Sequence, residues 1–246
     1  HPRVETLRLR DVFVYPDARR LRRRPGEEPG QLVLSRDLLS FVMGNKRSLL
    51  LGEEQAGKTA LARTLYRELR HNGVIPVLIG GAQLSKLAIA NTQATLDAAI
   101  SEQYQGNRSA QFWGLGLDKR ALIVDDFHDC PIARSKQHEL LESLAERFGT
   151  VILLASAGMQ MDLLASPGDT TNALWSYQPI ELLELGQVRR HQLIQKWYLA
   201  GRHDQLDEDE IERQLIHIEN VITSLLVRDL LPAHPVFVLI MLQAME

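Results

Sequence analysis

The segment Gly52–Thr59, with the sequence GEEQAGKT, limits more than any other what this chain can fold into. A glycine, four variable residues and then Gly-Lys-Thr form the pattern of a loop whose backbone N–H groups surround phosphates. The apolar run SLLLG leads into the segment, and TALARTLYRELRHNG continues from it with leucines at helical spacing. The pattern therefore predicts a strand, a phosphate-binding loop and a helix in succession.

The residue types in this loop fit a nucleoside triphosphate. Gly52 and Gly57 would let the backbone bend and approach the phosphates without an intervening Cβ. The loop amides would form a nest of donors at the N-terminus of the following helix. Lys58 would reach the β- and γ-phosphates, and the Thr59 hydroxyl would bind Mg²⁺. The predicted nucleotide-binding residues of the loop are Gly52, Glu53, Glu54, Gln55, Ala56, Gly57, Lys58, Thr59 and Ala60.

The segment ALIVDDF supplies the carboxylates that such a loop needs. Its apolar residues predict a buried strand that ends at Asp125, and ligands bind at the carboxyl ends of strands in sheets of this kind. Asp125 is predicted to hold Mg²⁺ together with Thr59. Asp126 is the predicted residue for positioning the attacking water, and Asp129 in the same turn is the alternative.

Apolar runs alternate with helical patterns over most of the chain, which predicts an α/β three-layer sandwich with a central parallel sheet. The strand VIPVLIG separates the two motif segments in sequence. It favours the branch of P-loop NTPases that has an additional strand between the motif strands. A later strand, TVILLAS, would place Ser156 beside the γ-phosphate as a polar sensor. The alternative role of Ser156 is to cap the helix that follows.

The sequence predicts an N-terminal region, a nucleotide-binding domain and a small all-helical domain, at residues 1–47, 48–185 and 186–246. In the first region, residues 4–16 alternate apolar and polar side chains and are predicted to be extended, and residues 17–30 to be a solvated loop. One long helical region is predicted over 83–104. In the helical domain, Val188 is expected on the buried face with Leu193, Ile194 and Trp197, and the last helix begins at Pro235.

The amino-acid composition limits which binding partners and which cellular compartment we expect for this chain. The net charge of −3 argues against nucleic acid or an anionic membrane as the partner. A single cysteine, Cys130, excludes an internal disulfide and favours the cytoplasm. Neither a membrane-length apolar run nor a secretory signal is found, and because the chain begins HPRVETLRLRD we expect an excised part of a longer polypeptide. His128 and Cys130 have no paired Cys or His cluster nearby, so no zinc site is predicted there, and the histidines at 191, 217 and 234 have no carboxylate at ligand spacing.

Taken together, five segments resemble the STAND class of signal-transduction ATPases, which includes the NACHT and apoptotic-ATPase modules. They are GEEQAGKT, LIVDDFHD, the strand ending LLASAG, the linker and helix IELLELGQVRRHQLIQKWY, and AHPVFVL. DDF is nearer the apoptotic-ATPase version of the second motif, and ASAGMQM lacks the arginine that often ends the sensor strand in this class. The resemblance extends from about residue 10 to residue 246.

The resemblance implies an ATP/ADP-binding switch with Mg²⁺ and slow hydrolysis. It implies self-association through the full-length protein, with effector and sensor domains on the flanks, and a role in bacterial antiviral or programmed-death signalling. It also implies that Pro235 packs near the adenine and that Phe13 and Val14 form the opposite wall of the adenine pocket.

Two other functions are compatible with the residues. One is an AAA+-type ATPase that acts on DNA in transposition or replication loading, for which the arginine cluster at 19–24 is the sole support. The other is a nucleotide-binding scaffold that does not hydrolyse its ligand.

Overall fold

The structure is a computed structural model that describes residues 6–22, 30–86, 92–106, 108–159, 173–200, 207–226 and 231–245. Its centre is a seven-stranded sheet in the order β2-β1-β7-β3-β6-β5-β4. The strands are β1 Ala18–Arg20, β2 Leu32–Val33, β3 Arg47–Gly52, β4 Ile75–Gly80, β5 Arg120–Asp125, β6 Thr150–Ser156 and β7 Gln178–Leu182. The five strands β3 to β7 are parallel to one another, β1 pairs antiparallel with β7, and β2 pairs antiparallel with β1.

Helices cover both faces of the sheet, and a helical region follows it. The α-helices of the described residues are α1 Leu9–Val12, α2 Ser35–Gly44, α3 Lys58–His71, α4 Thr92–Gln103, α5 Ser109–Trp113, α6 Arg134–Arg147, α7 Gln187–Leu199, α8 Glu208–Leu226 and α9 Pro235–Ala244. Within the described ranges, no helix is long and apolar enough to cross a membrane. The predicted α/β sandwich followed by helices is confirmed.

Alternate residues along each central strand enter two separate cores. In β3, Leu49 and Leu51 pack against α4, α5 and α6, whereas Leu50 packs on the other face against α2 and α3. In β5, Val124 and Ile123 divide in the same way. A parallel sheet covered on both faces needs apolar side chains at every position, and this is why the strands read as continuous apolar runs.

The strand that separates the two motif strands in space is β6. It pairs with β3 from Arg47 opposite Val151 to Gly52 opposite Ser156, and with β5 on its other side. β4, which separates the motifs in sequence, lies at the edge of the sheet. The additional-strand arrangement is confirmed, although the intervening strand is the later one.

The N-terminal region differs from the sequence prediction in two places. Residues Leu9–Val12 form a helical turn, which the Asp11 carboxylate caps by accepting from the Arg8 N–H at 2.9 Å, so the predicted extended segment is wrong there. The predicted loop contains β1, in which Ala18 is fully buried between Leu182 and Val33. Residues 23–29 of that loop lie outside the described residues.

Two helical predictions also need correction. Of the single helix predicted over 83–104, the described residues form a 3-10 turn at Gly81–Lys86 and the helix α4, and residues 87–91 lie outside the described residues. In α7, Leu193, Ile194 and Trp197 are buried as predicted, but Val188 is 65% exposed. Val188 lies in the first turn of α7, before the part of the helix that packs against α8 and α9.

Candidate phosphate-binding site

The GEEQAGKT loop joins the carboxyl end of β3 to the first residue of α3. Two of its residues have left-handed backbone conformations, Gln55 with φ 65° and Gly57 with φ 86°. A backbone hydrogen bond from the Ala56 N–H to the Glu53 carbonyl oxygen, at 3.3 Å, closes the first turn. Left-handed residues between right-handed ones are the conformation of backbone anion nests. The loop therefore has the backbone form that phosphate binding requires.

Lys58 lies inside this loop. Its Nζ donates to the carbonyl oxygens of Gly52 at 3.1 Å and Glu53 at 2.7 Å, and the residue is only 8% exposed. Both acceptors are uncharged, so the ammonium has no anionic hydrogen-bond partner there. A phosphate oxygen would be a stronger acceptor than either carbonyl.

Asp125 comes to the site from the end of β5. The Thr59 side chain lies beside its carboxylate, and the Asp125 Oδ1 atom is buried with no hydrogen-bond partner among the described residues. Burial raises the pKa of Asp125 above its ordinary value, and the Thr59 hydrogen bond partly opposes this rise. A buried carboxylate with an unpartnered oxygen beside a hydroxyl fits the oxygen ligands that Mg²⁺ prefers.

The fit to Mg²⁺ depends on ligands from outside the protein. Within the part of the chain that the structure describes, no group of three or more His, Cys, Asp or Glu side chains is placed to hold a metal ion. A divalent cation at Thr59 and Asp125 would therefore complete its coordination with phosphate oxygens and water, as Mg²⁺ does in phosphoryl-transfer sites.

The turn after β5 is held in a conformation that depends on a neighbouring glycine. Asp126 is left-handed, with φ 50°, and its carbonyl oxygen accepts the Asp129 N–H at 2.9 Å. A Cβ added to Gly81 would lie 2.1 Å from that carbonyl oxygen. Asp126 is partly exposed, and Asp129 is exposed beside the His128 ring, with 3.7 Å between Nε2 and Oδ1. The two remain alternatives for positioning a water.

We expect Gly81→Ala to destabilise the protein by about 1–3 kcal/mol, because the added methyl meets backbone atoms that cannot rotate away. The displaced turn carries Asp126, so Mg²⁺-dependent nucleotide binding should weaken as well. Gly44→Ala is the control, since a Cβ there meets nothing within 4 Å. Thermal melting of both variants checks the prediction, and equal melting temperatures would contradict it.

Ser156 and Pro235 lie against the phosphate loop. Ser156 is opposite Gly52 in the β3–β6 register, and the next N–H, of Ala157, donates to the Gly52 carbonyl oxygen at 3.0 Å. Pro235 Cγ lies 3.6 Å from the position that a Cβ on Gly57 would take. The start of α9 therefore packs directly on the phosphate loop.

Phe13 and Val14 lie between the sheet domain and the helical region. Phe13 packs at the edge of the core formed with α2 and α3, while Val14 packs against the core of the helical region. Both line a cleft that also contains residues of α2, α3 and α7. Their predicted contact with adenine stays a prediction.

His234 is a residue of the site that sequence reasoning missed. Its Nε2 lies 3.3 Å from Glu53 Oε2, and the residue is 3% exposed. The sequence shows no carboxylate at ligand spacing from this histidine, and the partner that the fold supplies is far away in sequence. His191 is a second case, since its Nδ1 lies 3.0 Å from Glu219 Oε2. No local spacing could have indicated either pair.

The segment before α9 is tied to the end of the sheet domain. The Ala233 N–H donates to Glu184 Oε2 at 3.0 Å, and the Leu185 N–H donates to the Ala233 carbonyl oxygen at 2.9 Å. These bonds fix the backbone next to His234 and Pro235. The backbone that carries the contact between the helical region and the phosphate loop is therefore hydrogen-bonded to the end of the sheet domain.

A scan against protein-family models finds no match, and neither does a comparison with curated proteins. A comparison with solved structures matches the replication initiator DnaA bound to AMPPCP and single-stranded DNA, at 15% identity and a TM-score of 0.43. That alignment covers 79% of this chain and 62% of the DnaA chain. Domain III of Thermotoga maritima DnaA matches at 16% identity and a TM-score of 0.45, over 78% of this chain and 80% of that one. A point variant of Thermotoga maritima RuvB matches at 17% identity and a TM-score of 0.41, over 85% of this chain and 67% of the RuvB chain.

The fold assignment rests on the chain's own topology and motifs. The GEEQAGKT loop connects the central strand β3 to α3, and β6 separates β3 from the strand that ends in Asp125. Helices cover both faces of the sheet, and a helical region packs against its loop edge. This chain has the α/β fold of the P-loop NTPases, in the form with an additional strand between the motif strands.

Proposed function

We propose that this chain is an ATP/ADP-binding switch module of a larger signalling protein, with slow Mg²⁺-dependent ATP hydrolysis. The observation that carries the proposal is the packing of His234 and Pro235, at the start of α9, against Glu53 and Gly57 of the phosphate loop. A ligand that enters the loop changes the surface on which the helical region rests. The phosphate state of the nucleotide would then set the position of that region.

Nucleotide binding would replace weak acceptors of Lys58 with strong ones. The ammonium would exchange the neutral carbonyl oxygens of Gly52 and Glu53 for anionic phosphate oxygens, which add a Coulomb attraction that the carbonyls lack. Thr59 and Asp125 would hold Mg²⁺, which neutralises charge on the phosphates when it is bound. The adenine would lie toward Pro235, with Phe13 and Val14 as the other wall.

Hydrolysis would need a water held in line with the γ-phosphate. Asp126 would accept a hydrogen bond from that water, with Asp129 as the alternative, and Ser156 would contact the γ-phosphate from the neighbouring strand. Lys58 and the loop amides would stabilise the charge on the equatorial oxygens. Because Asp126 is partly exposed, the attacking water would be poorly shielded from solvent, which suits slow turnover.

A switch requires that nucleotide binding at the phosphate loop changes the position of the helical region, and that this position changes the affinity for nucleotide. Glu53 belongs to the phosphate loop and His234 to the helical region, so occupancy of the loop and position of the region share one contact. By linkage, any displacement of the helical region that nucleotide favours must in turn alter nucleotide affinity by the same factor. Self-association would follow if that displacement uncovers a surface, as the resemblance to the STAND class implies.

The DNA-associated alternative has less support from the described residues. Of its arginine cluster, Arg19 pairs with Glu181 at 3.8 Å, and Arg20 lies over the Phe41 ring with 5.6 Å to the centroid. Both belong to β1, within the sheet. These two arginines therefore already have partners within the sheet domain.

The test of the proposal is the nucleotide that the purified protein retains and the response to its exchange. We expect ADP or ATP to be released on denaturation and identified by chromatography and mass spectrometry. Light scattering should then show a change in mass or hydrodynamic radius when ATP replaces ADP. Retained nucleotide with no such change would favour the non-hydrolysing scaffold, and no affinity for either nucleotide would reject nucleotide binding altogether.

The Glu53–His234 contact gives a sharper test of the coupling. In the nucleotide-free protein, a double-mutant cycle with Glu53→Gln and His234→Gln should give a coupling of about 0.5–1.5 kcal/mol in the free energy of unfolding, since Glu53 is largely exposed. We expect the coupling to change when ATP saturates the loop. His217→Gln, on the exposed face of α8, is the matched control. The same coupling with and without ATP would show that the contact is not part of the switch.

A further inference from the structure

Positively charged residues lie where the parallel strands of the sheet begin, at the end of the strands opposite the phosphate loop. β3 begins with Arg47 directly after Lys46, and β5 begins with Arg120 directly after Lys119. β1 runs antiparallel to β7, so its last residue lies toward the start of β7, and Arg22 follows two residues later. We call these five residues the cationic edge: Arg22, Lys46, Arg47, Lys119 and Arg120.

The described residues leave the charge of the cationic edge unneutralised. Within the described ranges, none of its five side chains has an ion pair, and Arg120 lies over the Trp113 ring with 5.5 Å to the centroid. The turns that lead into β3 and β5 contain one carboxylate, Asp118, which folds back over Gly116. Five cations therefore stand against one carboxylate, although the chain as a whole has a net charge of −3.

The two central pairs of cations are close enough to contact one ligand together. β6 lies between β3 and β5, so Arg47 and Arg120 are two strand spacings apart, or about 10 Å. In the register, Arg47 is opposite Val151 and Ala121 is opposite Thr150, so β3 and β5 begin at nearly the same level. The start of β6 between them is uncharged.

The helical region carries an exposed segment of the opposite charge. Residues 207–212, which we call the acidic segment, have the sequence DEDEIE, and all five carboxylate residues are exposed. Asp207 Oδ1 accepts the Asp209 N–H at 3.3 Å, and the next residue, Arg213, donates to the Asp209 carbonyl oxygen at 3.0 Å. Negative charge stabilises a helix start, but Glu208 and Glu212 are four residues apart, where like charges repel. The acidic segment therefore has more negative charge than the helix start needs.

The acidic segment and the cationic edge belong to different parts of the molecule. The start of α9 packs on the phosphate loop, at the carboxyl ends of the strands, whereas the cationic edge is at their amino ends. Among the residues that the structure describes, no ion pair joins the edge to the segment. Both surfaces are therefore free to meet their counterparts on another copy.

We propose that the cationic edge of one copy of this chain binds the acidic segment of a second copy. Six helical residues extend about 8 Å along the axis, which matches the spacing of about 10 Å between the cations of β3 and β5. Opposite charges of this kind guide association and fix the orientation of the partners. Nucleic acid fits less well, because the acidic segment and the net negative charge of the chain repel phosphates.

The contact joins two different surfaces, so further copies can add in the same way, as a ring or an open chain. The edge belongs to the sheet domain and the acidic segment to the helical region. The position of the helical region would therefore set how successive copies are oriented. This inference names the surfaces for the self-association in the proposed function, and it rests on that part of the proposed function alone.

The experiment measures self-association of the full chain by sedimentation velocity, first at low salt and then with added salt. We expect association that weakens as salt screens the charges. The edge variant, Lys46→Glu with Lys119→Glu, should weaken it at least about 10-fold, because like charges then face each other. The segment variant, Glu208→Lys with Glu210→Lys, should do the same. All four positions are exposed, so the variants should fold, and the chain with all four changes should associate again.

A matched control separates the local charge of the edge from the net charge of the chain. Arg63→Glu with Lys136→Glu changes the net charge by as much as the edge variant does, at exposed positions outside the cationic edge. This control should associate as the unmodified chain does.

Three outcomes would overturn the proposal. The first is a chain that stays monomeric at low salt. The second is association that the edge variant leaves unchanged or that the four combined changes do not restore. The third is binding of a short single-stranded oligonucleotide that prevents self-association and is lost in the edge variant, which would identify nucleic acid as the partner.

The same variants keep this inference separate from the nucleotide switch. The edge variant should bind ATP with unchanged affinity, because none of the five cations belongs to the phosphate loop. A change in mass on ATP addition that persists in the edge variant would contradict this inference and leave the switch intact. Association that depends on both charged surfaces but does not respond to nucleotide would support this inference and contradict the switch.

Discussion

Lys58→Ala is expected to lower the affinity for ATP and ADP by at least about 100-fold. The ammonium is almost fully buried in the loop and donates to two carbonyl oxygens, so it is already positioned for phosphate oxygens. Two charge-assisted hydrogen bonds at roughly 1.5 kcal/mol each amount to about 3 kcal/mol, or about a 100-fold change in affinity. Removal of the charge also removes its Coulomb attraction to the triphosphate.

The Lys58→Ala variant should still fold, so a change in its nucleotide affinity can be assigned to the missing side chain. The Gly52 carbonyl oxygen keeps a second donor, the Ala157 N–H at 3.0 Å, when the lysine is removed. Titration with a fluorescent nucleotide measures the affinity, and thermal melting without ligand confirms the fold. Lys136→Ala, at an exposed position of α6, is the matched control and should bind nucleotide normally. Unchanged ATP affinity of the Lys58 variant would reject the nucleotide claim.

The elements of the sheet domain could be predicted because their signal is local. Continuous apolar runs such as the one that ends at Gly52 are typical of strands buried on both faces, and β3 to β6 lie where these runs predict them. The phosphate loop is likewise a local pattern, which needs glycine at positions where a side chain would be strained. At Gly57, φ is 86°, a conformation that glycine adopts without cost.

The predictions that were wrong have a different physical origin, because they depend on contacts between segments that are distant in the sequence. Ala18 has no strand signal of its own, and it is a strand residue because Leu182 and Val33 offer partners on either side. Val188 has the right helical spacing but no neighbouring element over it, so it is exposed. The period of a helix indicates a face, whereas the tertiary arrangement decides how much of that face is covered.

The residues of the site likewise fall into those that a local motif predicts and those that depend on contacts between distant segments. Lys58 and Thr59 follow from one short motif, and Asp125 follows from the end of one apolar strand. The contact of Glu53 with His234 depends on how α9 approaches the loop, and no spacing in the sequence encodes that approach. A property that needs two regions to meet, such as switching, therefore depends on residues that motifs alone do not reveal.

Asp125→Asn is expected to change stability and metal binding in opposite directions. Burial raises the pKa of Asp125 in the folded protein, so folding favours the protonated carboxyl. The stability that the protonated group contributes is full below the ordinary carboxyl pKa, about 3.9, and is lost as pH rises through the raised value. At neutral pH the ionised carboxylate therefore destabilises the nucleotide-free protein. The amide should raise the melting temperature at pH 7.5, and this gain should shrink as the pH falls toward 4.

The same substitution removes the one acidic ligand proposed for Mg²⁺, so the gain in affinity that Mg²⁺ gives ATP should fall roughly 10- to 100-fold, and any hydrolysis with it. Titration of ATP with and without Mg²⁺ measures this, and melting curves over pH measure the stability. Asp118→Asn, at an exposed position, is the control and should change neither. A lower melting temperature of Asp125→Asn at neutral pH would contradict the prediction. It would mean that the ionised carboxylate stabilises the nucleotide-free protein. If Asp125→Asn raises the melting temperature and lowers the Mg²⁺-dependent affinity for ATP, the buried carboxylate contributes to ligand binding and destabilises the protein without ligand.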